Sequence, residues 1–182
     1  MNSYKFVLLL LVTISMASCS KTLTSFTERM YDQQGWSEQQ LKKIQFYLSD
    51  DIVLWRDAGS SKSALDNGTI KIIDGRKVQE VVFKEGTPGV FVFSPKKDQF
   101  AISFEATDDR FLMFGPSDKW SGRFVLLAKE WKKNRGKITY NGKIWNTSTE
   151  SAYATLMVDL KKANKTQYNS KTVSGRKIRG KK

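Results

Sequence analysis

The hydrophobic rhythm of the chain changes twice. From Phe6 to Met16 apolar side chains run together, broken only by Thr13 and Ser15. A membrane-crossing helix needs about 20 apolar residues, so this run is too short to be one. Residues 20–34 are polar, lack a sustained period and predict a flexible tether. A helical period follows, with Leu41, Ile44 and Leu48 recurring on one face. Ser37 and Gln40 have capping-box spacing, and Trp36 and Leu41 have that of a hydrophobic staple. A helix is therefore predicted over Ser37–Leu48.

After Asp51 the period becomes two. Residues 51–57 (DIVLWRD) read as a strand, with Ile52 and Leu54 on one side and Val53 and Trp55 on the other. Residues 68–83 read as a hairpin about Asp74-Gly75, and residues 136–146 as a second about Asn141-Gly142, because glycine supplies the positive φ of a tight turn. Residues 89–95 (GVFVFSP) form a continuous apolar run that predicts a strand buried on both faces. Residues 99–106 alternate, with Phe100, Ile102 and Phe104 inward and Ala101, Ser103 and Glu105 outward. Residues 110–116 and 121–131 read as two more strands. Residues 152–160 fit either period and lean to a strand, because Thr155 and Val158 are β-branched. A short last strand is open near Lys171–Ile178. The expected class is mainly β: an antiparallel barrel or sandwich of about nine short strands with one N-terminal α-helix.

Lys5 precedes the first apolar run and small Ala17 and Ser18 follow it, the layout of a secretory signal peptide. Its exit, Met16-Ala17-Ser18-Cys19, resembles the lipobox of bacterial lipoproteins, although Met16 stands where that pattern usually has Leu. The resemblance covers about the first 19 residues. It implies cleavage between Ser18 and Cys19, with Cys19 becoming an acylated N-terminus. Several acyl chains anchor firmly where one does not. Ser20 after the cysteine, rather than Asp, implies the outer membrane. The expected organisation is a signal peptide at 1–18, a lipidated N-terminus and tether at 19–34, a helix-plus-β domain at 35–160 and a basic tail at 161–182.

Charge adds a partner class. The net charge is +13, and residues 161–182 carry nine cations and no acid: Lys161, Lys162, Lys165, Lys171, Arg176, Lys177, Arg179, Lys181 and Lys182. Such a tail suits an anionic lipid, lipopolysaccharide or an acidic protein. Trp120, Arg123, Trp131, Lys132, Lys133 and Arg135 interleave rings and cations as nucleic-acid platforms do. Export sets nucleic acid aside, and the same mixture suits an envelope polysaccharide.

Composition narrows the chemistry further. The chain has no histidine and one cysteine, which removes His-dependent triads, His metal ligands and an internal disulfide. Asp50-Asp51 and Asp108-Asp109 are adjacent pairs, and adjacent strand residues point to opposite faces. Glu105 and Glu130 are distant carboxylates of the kind a glycosidase pairs, though nothing in the sequence selects them. Asp66-Asn67-Gly68 reads as a turn rather than a calcium loop. No catalytic residue, metal or cofactor is expected. The function expected is a non-enzymatic envelope lipoprotein that binds or assists, with a carrier of a small apolar ligand or a carboxylate-dependent glycan hydrolase as alternatives.

Overall fold

The computed structural model describes residues 22–57, 69–73 and 76–165, and this part of the chain is mainly β. In order, the elements are β1 (Leu23–Ser25), α1 (Glu28–Gln34), α2 (Glu38–Leu41), β2 (Gln45–Leu48), β3 (Ile52–Asp57), β4 (Thr69–Ile73), β5 (Arg76–Phe83), β6 (Pro88–Lys96) and β7 (Gln99–Ser103). They continue as β8 (Phe111–Ser117), β9 (Arg123–Leu126), β10 (Glu130–Lys132), β11 (Arg135–Tyr140), β12 (Lys143–Ser148), β13 (Leu156–Asp159) and α3 (Leu160–Lys165). The strands form a seven-stranded sheet, β1-β13-β2-β6-β7-β8-β9, and a six-stranded sheet, β10-β11-β12-β3-β5-β4. Every pairing is antiparallel. Among the described residues neither sheet closes into a barrel, and the inner faces of both share one core, as in a sandwich.

The seven-stranded sheet curls around phenylalanine. Phe26, Phe46, Phe100, Phe114 and Phe124 have no exposed surface. Phe26 touches Phe124 at 4.8 Å, Phe46 at 5.2 Å and Phe100 at 5.8 Å between ring centroids, with Trp36 stacked on it at 5.9 Å. Burying each such ring stabilises the fold by roughly 1.5–3 kcal/mol. Phe26 also ties the edges of the sheet together: its N–H donates to the Leu156 carbonyl (2.8 Å), and its carbonyl accepts from Phe124 N–H (3.2 Å). Isolated bridges at Thr27↔Arg123 and Val125↔Thr155 complete this seam without a continuous ladder.

Three expectations are corrected here. The segment read as a tether at 20–34 belongs to the fold from residue 23 onward, through β1, the buried Phe26 and α1. Thr27 caps α1 through the Met30 N–H, and Gly35 ends it at φ 58°. The helix expected over Ser37–Leu48 is a single turn. Its capping box is present, with Ser37 N–H donating to Gln40 Oε1 at 2.9 Å and Gln40 N–H to Ser37 Oγ at 3.4 Å. The chain then turns into β2, because Phe46 and Leu48 bury only in ladders with β13 and β6. Finally, β6 is not buried on both faces. Its inward residues alternate with exposed Val90 (41%), and Phe93 is exposed as well.

Other readings are refined. Both expected hairpins form, as β4–β5 and β11–β12. Asn141 and Gly142 both have positive φ, as a tight hairpin turn requires, whereas Asp74-Gly75 lies outside the described residues. Residues 152–160 divide into the end of a 3-10 turn (Glu150–Tyr153), β13 and the first residue of α3. Ala101 and Ser103, expected outward, are buried. Ser103 Oγ donates to the carbonyls of Thr107 and Arg110, so the following loop folds over it. The strand number exceeds nine because β1 falls in the expected tether, β2 in the expected helix, and residues 121–131, read as one strand, divide into β9 and β10.

The turn between β2 and β3 fastens the two sheets. Asp51 accepts from Lys84 Nζ at 2.7 Å and from Glu85 N–H at 2.8 Å, and these bonds hold its carboxyl below the ordinary 3.8. A depressed carboxyl contributes stability above its unfolded pKa and loses it as pH falls through the folded value. Asp51→Asn should therefore lower the thermal midpoint at neutral pH, with the difference from wild type closing below about pH 4. A difference that persisted into acid would mean the ionised carboxylate is not what fastens the turn.

Candidate functional site

The clearest concentration of charge in the described fold is on β10, β11 and β12. Residues 129–143 hold six cations (Lys129, Lys132, Lys133, Arg135, Lys137 and Lys143) and one acid, Glu130. Residues 19–160 total +3, so the rest of that span is slightly acidic and this stretch supplies the positive character. Register places Glu130 opposite Lys137 and Lys132 opposite Arg135, all on the solvent face of the six-stranded sheet.

Here Glu130, Lys132, Arg135, Lys137 and Asn146 line a shallow depression of about 240 Å³. Glu130 Oε1 meets Lys132 Nζ at 2.8 Å, and its Oε2 meets Lys137 Nζ at 3.3 Å. Hydrogen bonds from Lys132 and then Lys137 hold the Glu130 carboxyl below its ordinary value, and the same bond raises Lys132. The Arg135 side chain has no bonded partner among the described residues. Three cations thus surround one carboxylate, and a guanidinium that can make two parallel bonds to an anion remains available.

The same face carries an aromatic. Lys137 pairs with Asn146, Asn146 with Trp55 and Trp55 with Glu80, which sets these side chains in one row across the sheet. Trp55 is half-buried in the middle of that row, and Asn146 Nδ2 donates to its carbonyl at 3.5 Å.

No family model matches the chain, and no curated protein and no solved structure matches it.

The interleaved group expected from the sequence is split. Trp131 shares with Gly136 the hairpin face opposite the cations, where it stays 39% exposed and its ring lies so close that a Cβ on Gly136 would stand 2.7 Å from it. Lys132 and Arg135 project from the opposite face of that hairpin. Lys133 sits in the turn at φ 51°. Trp120 lies in a 3-10 turn (Asp118–Trp120), edge-on to Tyr153 at 5.2 Å, and Arg123 begins β9 in the other sheet.

The candidate carboxylates are occupied separately. Glu105 pairs with Arg110 at 2.9 Å beside the seven-stranded sheet, while Glu130 holds its two lysines on the six-stranded one. A general acid needs a raised pKa, and Glu130 is shifted the other way. Asp50 takes the Ser49 hydroxyl and Asp51 the Lys84 ammonium, so the pair is split between two partners. No group of three or more Cys, Asp or Glu among the described residues is placed to hold a metal. Asp66-Asn67-Gly68 lies outside the described residues.

Of the expected tail contacts, Lys161 and Lys162 are exposed on α3, whose first turn is capped by Asp159 Oδ1 accepting from Lys161 N–H at 3.1 Å. Lys165 ends α3, and Ala163 on that helix is buried, so residues 161–165 belong to the fold. Lys171, Arg176, Lys177, Arg179, Lys181 and Lys182 lie outside the described residues, as do Ser18, Cys19 and the strand considered near 171–178. No described helix is long and apolar enough to cross a membrane.

Proposed function

We propose that the protein is a non-enzymatic lipoprotein of the cell envelope that holds anionic envelope material on the basic face of β10–β12. Cys19 carries the anchor, and the nine cations of residues 161–182 add to the attraction for an anionic partner. The outer membrane is the location favoured by Ser20. The observation that carries the binding reading is the depression at Glu130: three cations line it around one carboxylate, and the Arg135 side chain has no bonded partner among the described residues. The charge is localised while the rest of the domain is slightly acidic, so attraction is directed to one face.

Two measurements test this reading. Full-length protein in neutral detergent is applied to a sulfated-dextran resin and eluted with salt. Lys132→Glu with Arg135→Glu should elute at clearly lower salt than wild type, and removal of residues 166–182 should lower it further. Identical elution of all forms would remove the anion-binding reading. For the anchor, Cys19→Ser should leave an unlipidated product that no longer fractionates with membranes. Continued membrane association at unchanged mass would remove the lipoprotein reading.

A further inference from the structure

The outer face of the six-stranded sheet offers more than charge. Across it run Glu130, Lys137, Asn146, Trp55 and Glu80, one from each of five neighbouring strands. Strands are spaced about 4.8 Å apart, so Trp55 lies roughly 10 Å from the Lys137 position. We infer that this row is a binding site for an acidic glycan, a polysaccharide bearing carboxylate or phosphate groups. The inference rests on the anion-binding reading and gives it a ligand class.

Each position has a role in that complex. The apolar face of a sugar ring covers the indole of Trp55, removing from water a surface that is already half-buried. Asn146 beside it donates and accepts, which matches ring hydroxyls. Lys137, together with Arg135 and Lys132 on the neighbouring positions, receives the acidic substituent of an adjacent residue. Glu130 holds Lys132 and Lys137 in place, so less side-chain freedom is lost when the anion arrives.

The arrangement favours a glycan over a bilayer. An aromatic that inserts among lipids stands out from the surface, whereas Trp55 lies within the sheet row between Asn146 and Glu80. At the far end of the row the Glu80 carboxylate accepts from ring hydroxyl groups.

The experiment titrates the full-length chain in neutral detergent with a short oligouronate, a neutral oligoglucan of similar length and phosphatidylglycerol vesicles, by calorimetry. Saturable oligouronate binding is expected, with the neutral glycan at least tenfold weaker. Trp55→Ala should weaken oligouronate binding about tenfold, and Arg135→Ala with Lys137→Ala should weaken it as much and flatten its salt dependence. The double variant alters only solvent-facing side chains, so it remains informative if Trp55→Ala melts early. Vesicle binding without oligouronate binding, or oligouronate binding indifferent to both Trp55 and the cation pair, would overturn the glycan inference. Sulfated-dextran retention that still depends on Lys132 and Arg135 would then leave the broader anion-binding reading standing. Loss of that dependence would take both down.

Discussion

Phe26→Ala lowers the stability of the protein by about 3–5 kcal/mol, measured by denaturant unfolding. The ring has no exposed surface and contacts those of Tyr31, Trp36, Phe46, Phe100 and Phe124. Truncation opens a cavity at the centre of a cluster whose members cannot all collapse into it. A small domain has only about 5–15 kcal/mol in total, so a fifth or more of its stability rests on this residue. The seam magnifies the loss, since Phe26 joins β13 to β9 through its backbone and the cavity loosens both neighbours. Leu23→Ala, three residues earlier and only partly buried, serves as the comparison and should change stability far less. A Phe26→Ala loss below about 1 kcal/mol would return residues 23–34 to the role of a tether.

Gly89→Ala costs about 1–3 kcal/mol by the opposite route, overpacking. Gly89 faces inward on β6, opposite Phe46. A Cβ there would lie 2.5 Å from Phe104 Cε1 and 2.8 Å from Ile102 Cγ2. Neither neighbour gives way easily. The Phe104 ring packs between Phe83 at 5.7 Å and Phe114 at 6.1 Å, and the Ile102 methyl is fixed to a fully buried strand residue. The denaturation midpoint should fall with an unchanged slope. Val90→Ala, next in sequence but 41% exposed, should stay within about 0.5 kcal/mol of wild type. An equally neutral Gly89→Ala would show that the ring has room to shift.

What the sequence disclosed follows from how local each cause is. The Asn141-Gly142 hairpin was legible because two adjacent residues impose the turn by themselves. The alternation of Ile52 to Trp55 was legible for the same reason, and it correctly set Trp55 on the face opposite Ile52 and Leu54. The helix over Ser37–Leu48 failed because its evidence was real but short. The capping box starts a helix, but the spacing of Leu41, Ile44 and Leu48 does not require one, and β13 and β6 recruit residues 45–48 into a sheet. Signals for α1 were present in Thr27 and Gly35. Without an apolar stripe between them, they read as decoration on a polar segment.

The binding face shows the same limit. Trp120, Arg123, Trp131, Lys132, Lys133 and Arg135 were visible as an interleaved group. Strand geometry turns Trp131 to the other side and brings Trp55 to the row through β12, a pairing of residues far apart in sequence. Only sheet order reveals that neighbour, and no local period encodes it.

The early start of the fold has a mechanical consequence. If the anchor is at Cys19, only residues 20–22 separate it from β1, which begins at Leu23. Fully extended, that length of chain spans about 14 Å, less than the width of the domain it would carry. Leu23 to Ser25 are fixed by β13, so no slack can be drawn from the domain without breaking β1 from its sheet. Such a leash makes the domain a fitting on the bilayer surface: it can pivot there but cannot reach across a gap, and its ligand has to come within a few nanometres of the lipid to meet it.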